Sequence, residues 1–188
     1  MEHKGTEKLM TDRLILRKFK PEDAESMFCN WANDPSVTEF LTWLPHKDIQ
    51  TSEKIIAEWI GNYSKNDFYQ WAIELKEIGR PIGSISVVGI NEVENAIEIG
   101  YCIGQKWWGK GLTAEAFKKV IEFFFNNVGA DRVIARHAAE NVRSGIVIKK
   151  CGLKYVDTFP NSCKTGKGVI CDTVLYVKER QTSKNDKI

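Results

Sequence analysis

No stretch of this chain approaches the ~18 consecutive apolar residues of a membrane-spanning helix, so the sequence presents no span. Its first residues, Met1 to Lys8, are polar and charged and lack the apolar centre of a secretory leader, which leads to the expectation of a cytoplasmic protein. Charge of one sign is missing too. Lys and Arg number 27 against 25 Asp and Glu, a formal net charge of +2, which gives no electrostatic footing on nucleic acid or on a membrane surface. The three histidines, His3, His46 and His137, are scattered, and no metal site is expected from them. The five cysteines, Cys29, Cys102, Cys151, Cys163 and Cys171, are odd in number and contain no C-x-x-C pair. That argues against a disulfide framework or a zinc knuckle and for reduced, mostly buried thiols. Repeats, low-complexity runs and linkers are absent.

What is present is 188 residues of 43% hydrophobic composition, enough to enclose a core. The expectation is one domain over residues 1–188, with its core at about 11–177 and a polar tail at 179–188 that frays. "RLILRKF", from Arg13, alternates as a strand does. "PEDAESMFCNWAND" follows as a helix, with Pro21 suited to its first turn. Asp34-Pro35 reads as a turn. "TSEKIIAEWIGNYSK" reads as a second helix capped by Thr51 or Ser52, with Ile55, Ile56, Trp59 and Ile60 on its apolar face.

"FYQWAIEL", "RPIGSISVVGI" and "NAIEIGYCI" alternate as three strands joined by short turns, an antiparallel meander. "TAEAFKKVIEFFFNNVG" is the strongest helical pattern in the chain, and Gly129 can end it. "DRVIARHA" reads as a strand and "NVRSGIVIKKCG" as a short helix. "LKYVDTF" and "ICDTVLYVK" read as two more strands, with "PNSCKTGKG" as an exposed basic loop between them. Seven strands and four helices in this order predict an α+β fold.

Between the meander and the long helix lies "GQKWWGKGL". It comes close to a nucleotide-binding phosphate loop, but Gly111 stands where a hydroxyl must follow the lysine to hold magnesium, and Thr113 comes two residues late. No apolar strand ending in Asp supplies the partner motif. What the loop does have is two nearby glycines opening a helix, whose start offers free N–H groups and the positive end of its dipole. Lys106 and Lys110 add charge. This suits a diphosphate that approaches the backbone closely, or simply a turn from strand to helix.

"EIGYCIGQKWWGKGLTAEAFKKVIEFFF" resembles the acetyl-coenzyme A signature of the GNAT N-acetyltransferase superfamily. Its pyrophosphate motif, Q/R-x-x-G-x-G/A, aligns on Gly109 and Gly111 and puts Lys106 at the first position, a departure, with Gln105 one place early. "TDRLILRKFKPEDAESMF", "NDPSVTEFLTW" with a following "PH", "WAIELKEIGRPIGSI" and "AENVRSGIVIKKCGLKY" resemble the branch that includes the ribosomal-protein alanine acetyltransferases (RimJ/RimL-like). The resemblance covers roughly Thr11 to Val177. It implies a mostly antiparallel, twisted sheet of about seven strands flanked by about four helices. It implies acetyl-coenzyme A as co-substrate, with no metal. The implied cofactor contacts are Lys106, Trp108, Gly109, Lys110, Gly111, Leu112 and Thr113 in the loop and helix start. Tyr101, Cys102 and Ile103 contribute through main-chain pairing with the pantetheine arm, and Asn141 contacts that arm. Asn141 also reads as a helix cap.

Acetyl transfer to an amine needs a neutral nucleophile, and an α-amino group with a pKa of ~8 is largely protonated near neutrality. A carboxylate at the amine, or one water away, can take the proton. Glu98 faces away from Ile97 and Ile99, beside Ala96, Gly100 and Cys102, a small-walled strip. The resemblance gives a glutamate at this place that role; the other reading is a solvent-facing glutamate of an amphipathic strand. Many members of the superfamily protonate the leaving thiolate with a tyrosine on the later short helix. The corresponding place here is Ile148, which has no proton to give. Ser144, expected on the same helical face as Asn141 and Ile148, can hydrogen-bond the sulfur or relay from water, or can serve only as a helix cap or first-turn residue. Trp31, Trp43 and Trp59 fall either in the core or on the acceptor wall. Cys102 reads as a small buried thiol, not a nucleophile.

The expected activity is acetyl transfer from acetyl-coenzyme A to a primary amine, a protein N-terminus being one candidate, directly within a ternary complex. One alternative is a small-molecule acceptor such as a polyamine, aminoglycoside or amino-acid analogue. Another is a non-catalytic coenzyme A-binding sensor or scaffold. Partners are thus an amine acceptor, with neither nucleic acid nor membrane, and the chain is a monomer or a homodimer.

Overall fold

The computed structural model describes residues 1–181. Among them eight strands form one sheet in the order β1-β2-β3-β4-β5-β6-β8-β7. The strands are β1 (Leu9–Met10), β2 (Leu14–Arg17), β3 (Gln70–Leu75), β4 (Arg80–Asn91), β5 (Ala96–Ile103), β6 (Arg132–Ala138), β7 (Lys154–Lys164) and β8 (Ile170–Glu179). The helices are α1 (Ala24–Met27), α2 (Pro35–Thr38), α3 (Ile49–Asn62), α4 (Leu112–Phe123) and α5 (Val142–Lys150). The α+β architecture and the antiparallel β3–β4–β5 meander agree with the sequence pattern. β1 and α2 are the additions, each too short to leave a periodic signal.

The main core lies between the sheet and α4. Tyr69, Trp71, Ile73 and Leu75, alternate residues along and just before β3, are all buried, and Phe117, Val120 and Phe124 meet them from the helix side. A second cluster, Phe19, Met27, Trp31 and Ile56, packs α1 and α3 on the sheet, with Trp43 and Trp59 partly buried against it. These three tryptophans therefore belong to packing.

Among the described residues β5 and β6 are the only parallel neighbours, and they pair for just three residues, Ala96 to Glu98 against Arg132 to Ile134. Beyond Glu98 the two strands part, so β5 keeps its ladder to β4 and has an open edge on the other side. This opening positions the site.

Three local expectations need correction. α3 is capped by Asp48, whose carboxylate accepts the Thr51 N–H at 2.8 Å, and not by Thr51 or Ser52; the helix simply starts earlier. The "PNSCKTGKG" loop is mostly strand, because β7 runs to Lys164. As an edge strand with register shifts it tolerates Pro160. Cys163 and Cys171 are direct cross-strand partners in this hairpin and are joined as a disulfide, so the expectation that all thiols are reduced fails for this pair. The odd fifth cysteine misled the count: Cys29, Cys102 and Cys151 are free. Of the expected frayed tail, Glu179 pairs with Arg132 as the end of β8, and residues 182–188 lie outside the described residues.

Candidate active site

One cleft of about 290 Å³ opens where β5 leaves β6. Its floor is Tyr101, Cys102 and Ile103 of β5. One wall is the loop and first turn of α4, with Trp108, Gly109, Gly111 and Thr113. A second wall is α5, including Asn141 and Ser144 at its start, and a third is the segment Ser36 to Leu41.

The α4 wall is built by two glycines. Gly109 (φ +75°) and Gly111 (φ +76°) both take left-handed backbone, which side chains disfavour. Space for a β-carbon at Gly109 is open to 4 Å. Gly111 is the residue before the helix, and the first α-helical donor is Glu115, whose N–H reaches the Gly111 carbonyl at 3.0 Å. The amides ahead of it have no intrahelical acceptor and, at the positive end of α4, are suited to bind an anion. The loop is anchored from outside. Arg13 donates to the Lys110 carbonyl at 3.1 Å and through Nε to Glu115 at 2.7 Å, and Thr11 donates to the same carboxylate at 2.6 Å. Burial alone would raise the Glu115 carboxyl, but Thr11 and Arg13 outweigh it and hold it below its ordinary value.

On the α5 wall Asn141 caps the helix, its side-chain oxygen accepting the Ser144 N–H at 3.2 Å, while the residue also lines the cleft. The Tyr101 hydroxyl reaches across from β5. It lies 2.9 Å from the Ser144 hydroxyl and 3.1 Å from the Ser144 carbonyl. Burial raises the Tyr101 pKa well above the ordinary phenol, so the group holds its proton. One phenol proton serves one of the two oxygens at a time. Donated to the serine hydroxyl, it leaves the serine proton free to point into the cleft. Donated to the carbonyl, it leaves the serine proton committed to the tyrosine.

Not every expected residue lines the cleft. Lys106 is exposed, its ammonium 5.5 Å from the Trp107 ring, Lys110 contributes its carbonyl to Arg13, and Leu112 is buried in the core. Glu98 stands at the last position of β5 paired with β6, with its carboxylate ion-paired to Arg136 of β6. The strip beside it is not open at Gly100, where Val88, at the bulge in β4, fills the missing side chain's place at 2.9 Å. Ile148 turns into the core, fully buried, and does not share the cleft face with Ser144. That face is Arg143, Ser144, Val147 and Lys150, one helical step round from the expected one.

Arg143 and Lys150 were missed, as was the Ser36–Leu41 wall. Both share a helical face with Val147, Arg143 four residues before it and Lys150 three after, and taking Val147 in place of Ile148 as the cleft-facing residue would have found them. The third looked like a turn, because only Asp34 and Pro35 signal α2. Arg143 lies over the Trp108 ring at 4.6 Å, and Trp108 donates from Nε1 to the Ile103 carbonyl at 2.8 Å, so that carbonyl is taken. Burial pushes the Cys102 thiol up, its nearest polar contact is the Ser84 hydroxyl at 3.3 Å, and a neutral thiol is a poor nucleophile.

A split sheet, glycine-lined helix start and adjoining serine wall together suit a nucleotide thioester, and the family comparison decides the matter. The acetyltransferase (GNAT) domain model matches residues 13–154. The chain belongs to the GNAT acetyltransferase family. It is an acetyl-coenzyme A-dependent N-acetyltransferase with acetyl-coenzyme A as co-substrate. It is 33% identical over 139 residues to an uncharacterized N-acetyltransferase, p20, of Bacillus licheniformis, covering 73% of this chain and 77% of that one. It is 26% identical over 156 residues to the ribosomal protein uS5-alanine N-acetyltransferase of Escherichia coli, covering 78% of each. The GNAT fold recurs in the microcin C7 self-immunity acetyltransferase MccE, solved with acetyl-CoA and AMP, at a TM-score of 0.79 and 21% identity over 90% of this chain and 93% of that one.

The cleft fits acetyl-coenzyme A. The open space at Gly109 admits a phosphate to the backbone, the amides before Glu115 are donors, and Arg143 and Lys150 are the cations on the lining. Among the described residues no group of three or more His, Cys, Asp or Glu is placed to hold a metal ion, and no helix is long and apolar enough to cross a membrane.

Proposed function

We propose that this GNAT enzyme acetylates a primary amine, with a protein N-terminus as the preferred acceptor class, by direct transfer while both substrates occupy the cleft. The observation that carries the proposal is the continuity of the cleft: the helix start, the Tyr101–Ser144 pair and the Ser36–Leu41 wall line one space. An anionic co-substrate and an amine can therefore meet without a relay group. The likeness to a ribosomal-protein alanine N-acetyltransferase supports the acceptor class. Such an acceptor belongs to the cytoplasm.

Acetyl-coenzyme A supplies an activated acetyl thioester. Gly109, Gly111, Thr113 and the following amides hold its anionic end, and the open edge of β5 at Tyr101 and Cys102 orients its arm and offers amide donors to the acetyl oxygen. Ser144, kept in place by Tyr101, donates a hydrogen bond to the departing sulfur. A raised phenol pKa makes Tyr101 a poor source of the proton itself, so its part is to set the direction of the Ser144 hydroxyl. Glu98 takes the amine proton through water in this reading. Its place at the point where β5 and β6 separate supports that role.

The test is thiol release from acetyl-coenzyme A against a panel of N-terminal peptides, polyamines, aminoglycosides and amino-acid analogues. Release with peptides carrying a free N-terminus is expected. Release only with small amines would move the acceptor class, and tight coenzyme binding without any turnover would make the protein a sensor.

A further inference from the structure

We infer that Glu39 determines acceptor specificity, by selecting amines that carry positive charge beside or at the reacting group. The inference rests on the proposed reading of the cleft as the meeting place of acetyl-coenzyme A and an amine.

Glu39 is the single carboxylate among the described residues that line the cleft. The two cations on that lining sit beside the start of α4. Arg143 lies over Trp108, and Lys150 precedes Cys151, whose thiol is 3.5 Å from the Ala114 carbonyl. Glu39 comes from the other wall, at the end of α2. The lining thus carries two cations on the α5 wall and an anion on the separate wall formed by Ser36 to Leu41. Coulomb attraction sorts the two substrates accordingly: coenzyme A is anionic, and an unreacted amine is cationic.

Structural work does not account for the residue. Among the described residues Glu39 has no ion-pair partner, whereas Asp34, Asp48 and Glu115 each accept hydrogen bonds that fix a helix start or a loop. Glu39 is also solvent-exposed, so its carboxylate is not needed by the fold. Its backbone, in contrast, is held firmly. Asp34 caps α2 by accepting the Ser36 N–H at 2.8 Å. Leu41 N–H bonds the Thr38 carbonyl at 3.0 Å, and the Leu41 carbonyl accepts the Gly166 N–H at 2.8 Å from the β7–β8 turn. A β-carbon at Gly166 would lie 2.7 Å from the Trp43 carbonyl oxygen, so the turn and this wall are in direct backbone contact. An unengaged carboxylate on a fixed segment, between Val37 and the apolar pair Phe40 and Leu41, suits an acceptor with an apolar stem and a positive charge.

The test uses two matched acceptor pairs. One is Ala-Lys-Gly-Ser-Gly-Ser against Ala-Glu-Gly-Ser-Gly-Ser; the other is cadaverine against pentylamine. Acceptor kcat/KM is measured for the wild type, Glu39→Gln and Glu39→Lys, with acetyl-coenzyme A affinity by calorimetry. The wild type should prefer the cationic member of whichever pair it acetylates. A single exposed charge supports a change of at most about fivefold, so Glu39→Gln should shrink the preference by up to that factor and Glu39→Lys should reverse it. Acetyl-coenzyme A affinity should stay within about twofold. A wild type with no preference for the cationic member, or a preference identical in all three proteins, would overturn the inference and leave the proposed activity standing. Transfer to none of the four acceptors, with acetyl-coenzyme A bound, would overturn both.

Discussion

The hydroxyls of Tyr101 and Ser144 lie 2.9 Å apart, joining a strand residue to the first turn of a helix 43 positions later. If Tyr101 directs the Ser144 proton toward the leaving sulfur, the two act as a unit. Ser144→Ala should lower kcat about tenfold with acetyl-coenzyme A affinity nearly intact. Tyr101→Phe should lower kcat by a smaller factor. The double variant should be no slower than Ser144→Ala alone, since coupled residues are not additive. Independent, multiplying losses would separate the two roles, and a loss of thermal stability with normal turnover would reduce Ser144 to a helix-start residue.

The cofactor loop depends on backbone shape at Gly109. Asn tolerates left-handed backbone and Val does not. Gly109→Asn should therefore keep the melting temperature while its side chain obstructs the open space seen there, and Gly109→Val should lose stability as well. Both should weaken acetyl-coenzyme A binding, the Val variant by ~2 kcal/mol or more. Calorimetry together with thermal melts reads the two effects apart. Unchanged affinity in a folded Gly109→Val protein would remove the loop from the site.

The Arg13–Glu115 clamp gives a pH dependence. The folded-state pKa of Glu115 is lowered below its ordinary value of 4.5, so its contribution to stability is fully present above pH 4.5 and is lost as pH falls through the lowered value. Glu115→Gln should be less stable than wild type at neutral pH, and the gap in melting temperature should narrow below pH 4.5. A gap that is constant down to acid pH would show that the lost contacts with Thr11 and Arg13 are not charge-dependent.

Glu98 is tested by its pH–rate profile. Glu98→Gln should keep the fold and acetyl-coenzyme A affinity but lower turnover at neutral pH by roughly 10²- to 10⁴-fold if the residue accepts the amine proton. The rate should recover partly as pH rises past the amine pKa of ~8, where the acceptor is already neutral. Arg136→Ala, which frees the carboxylate, serves as the companion variant. Superimposable profiles of wild type and Glu98→Gln would remove Glu98 from the mechanism.

Much of this fold was legible because its strands alternate cleanly. Tyr69, Trp71, Ile73 and Leu75 announce a buried face, and they form one. The glycines at 109 and 111 marked the loop because their left-handed backbone is a requirement of the residue type itself. What the sequence did not display depends on tertiary contact. Val88 filling the space beside Gly100, Arg136 pairing with Glu98, and Tyr101 meeting Ser144 are each made by residues far apart along the chain. The facing of α5 was misread by one step because a nine-residue helix with small residues carries a weak apolar stripe, and only the core decides that Ile148 goes inside. The disulfide was hidden by a count: an odd number of cysteines says nothing about two that a hairpin sets opposite one another.

The central claim is direct transfer between two substrates in one cleft, and a two-substrate initial-rate matrix tests it most directly. Acetyl-coenzyme A and one identified amine acceptor are varied together, in wild type and in Cys102→Ala. Cys102 lines the cleft but is held neutral by burial, so it should take no part. Intersecting double-reciprocal lines in both proteins, with no acetylated enzyme detected by mass spectrometry when the amine is left out, are the predicted result. Parallel lines, an acetyl group on Cys102 and loss of turnover in Cys102→Ala would contradict it.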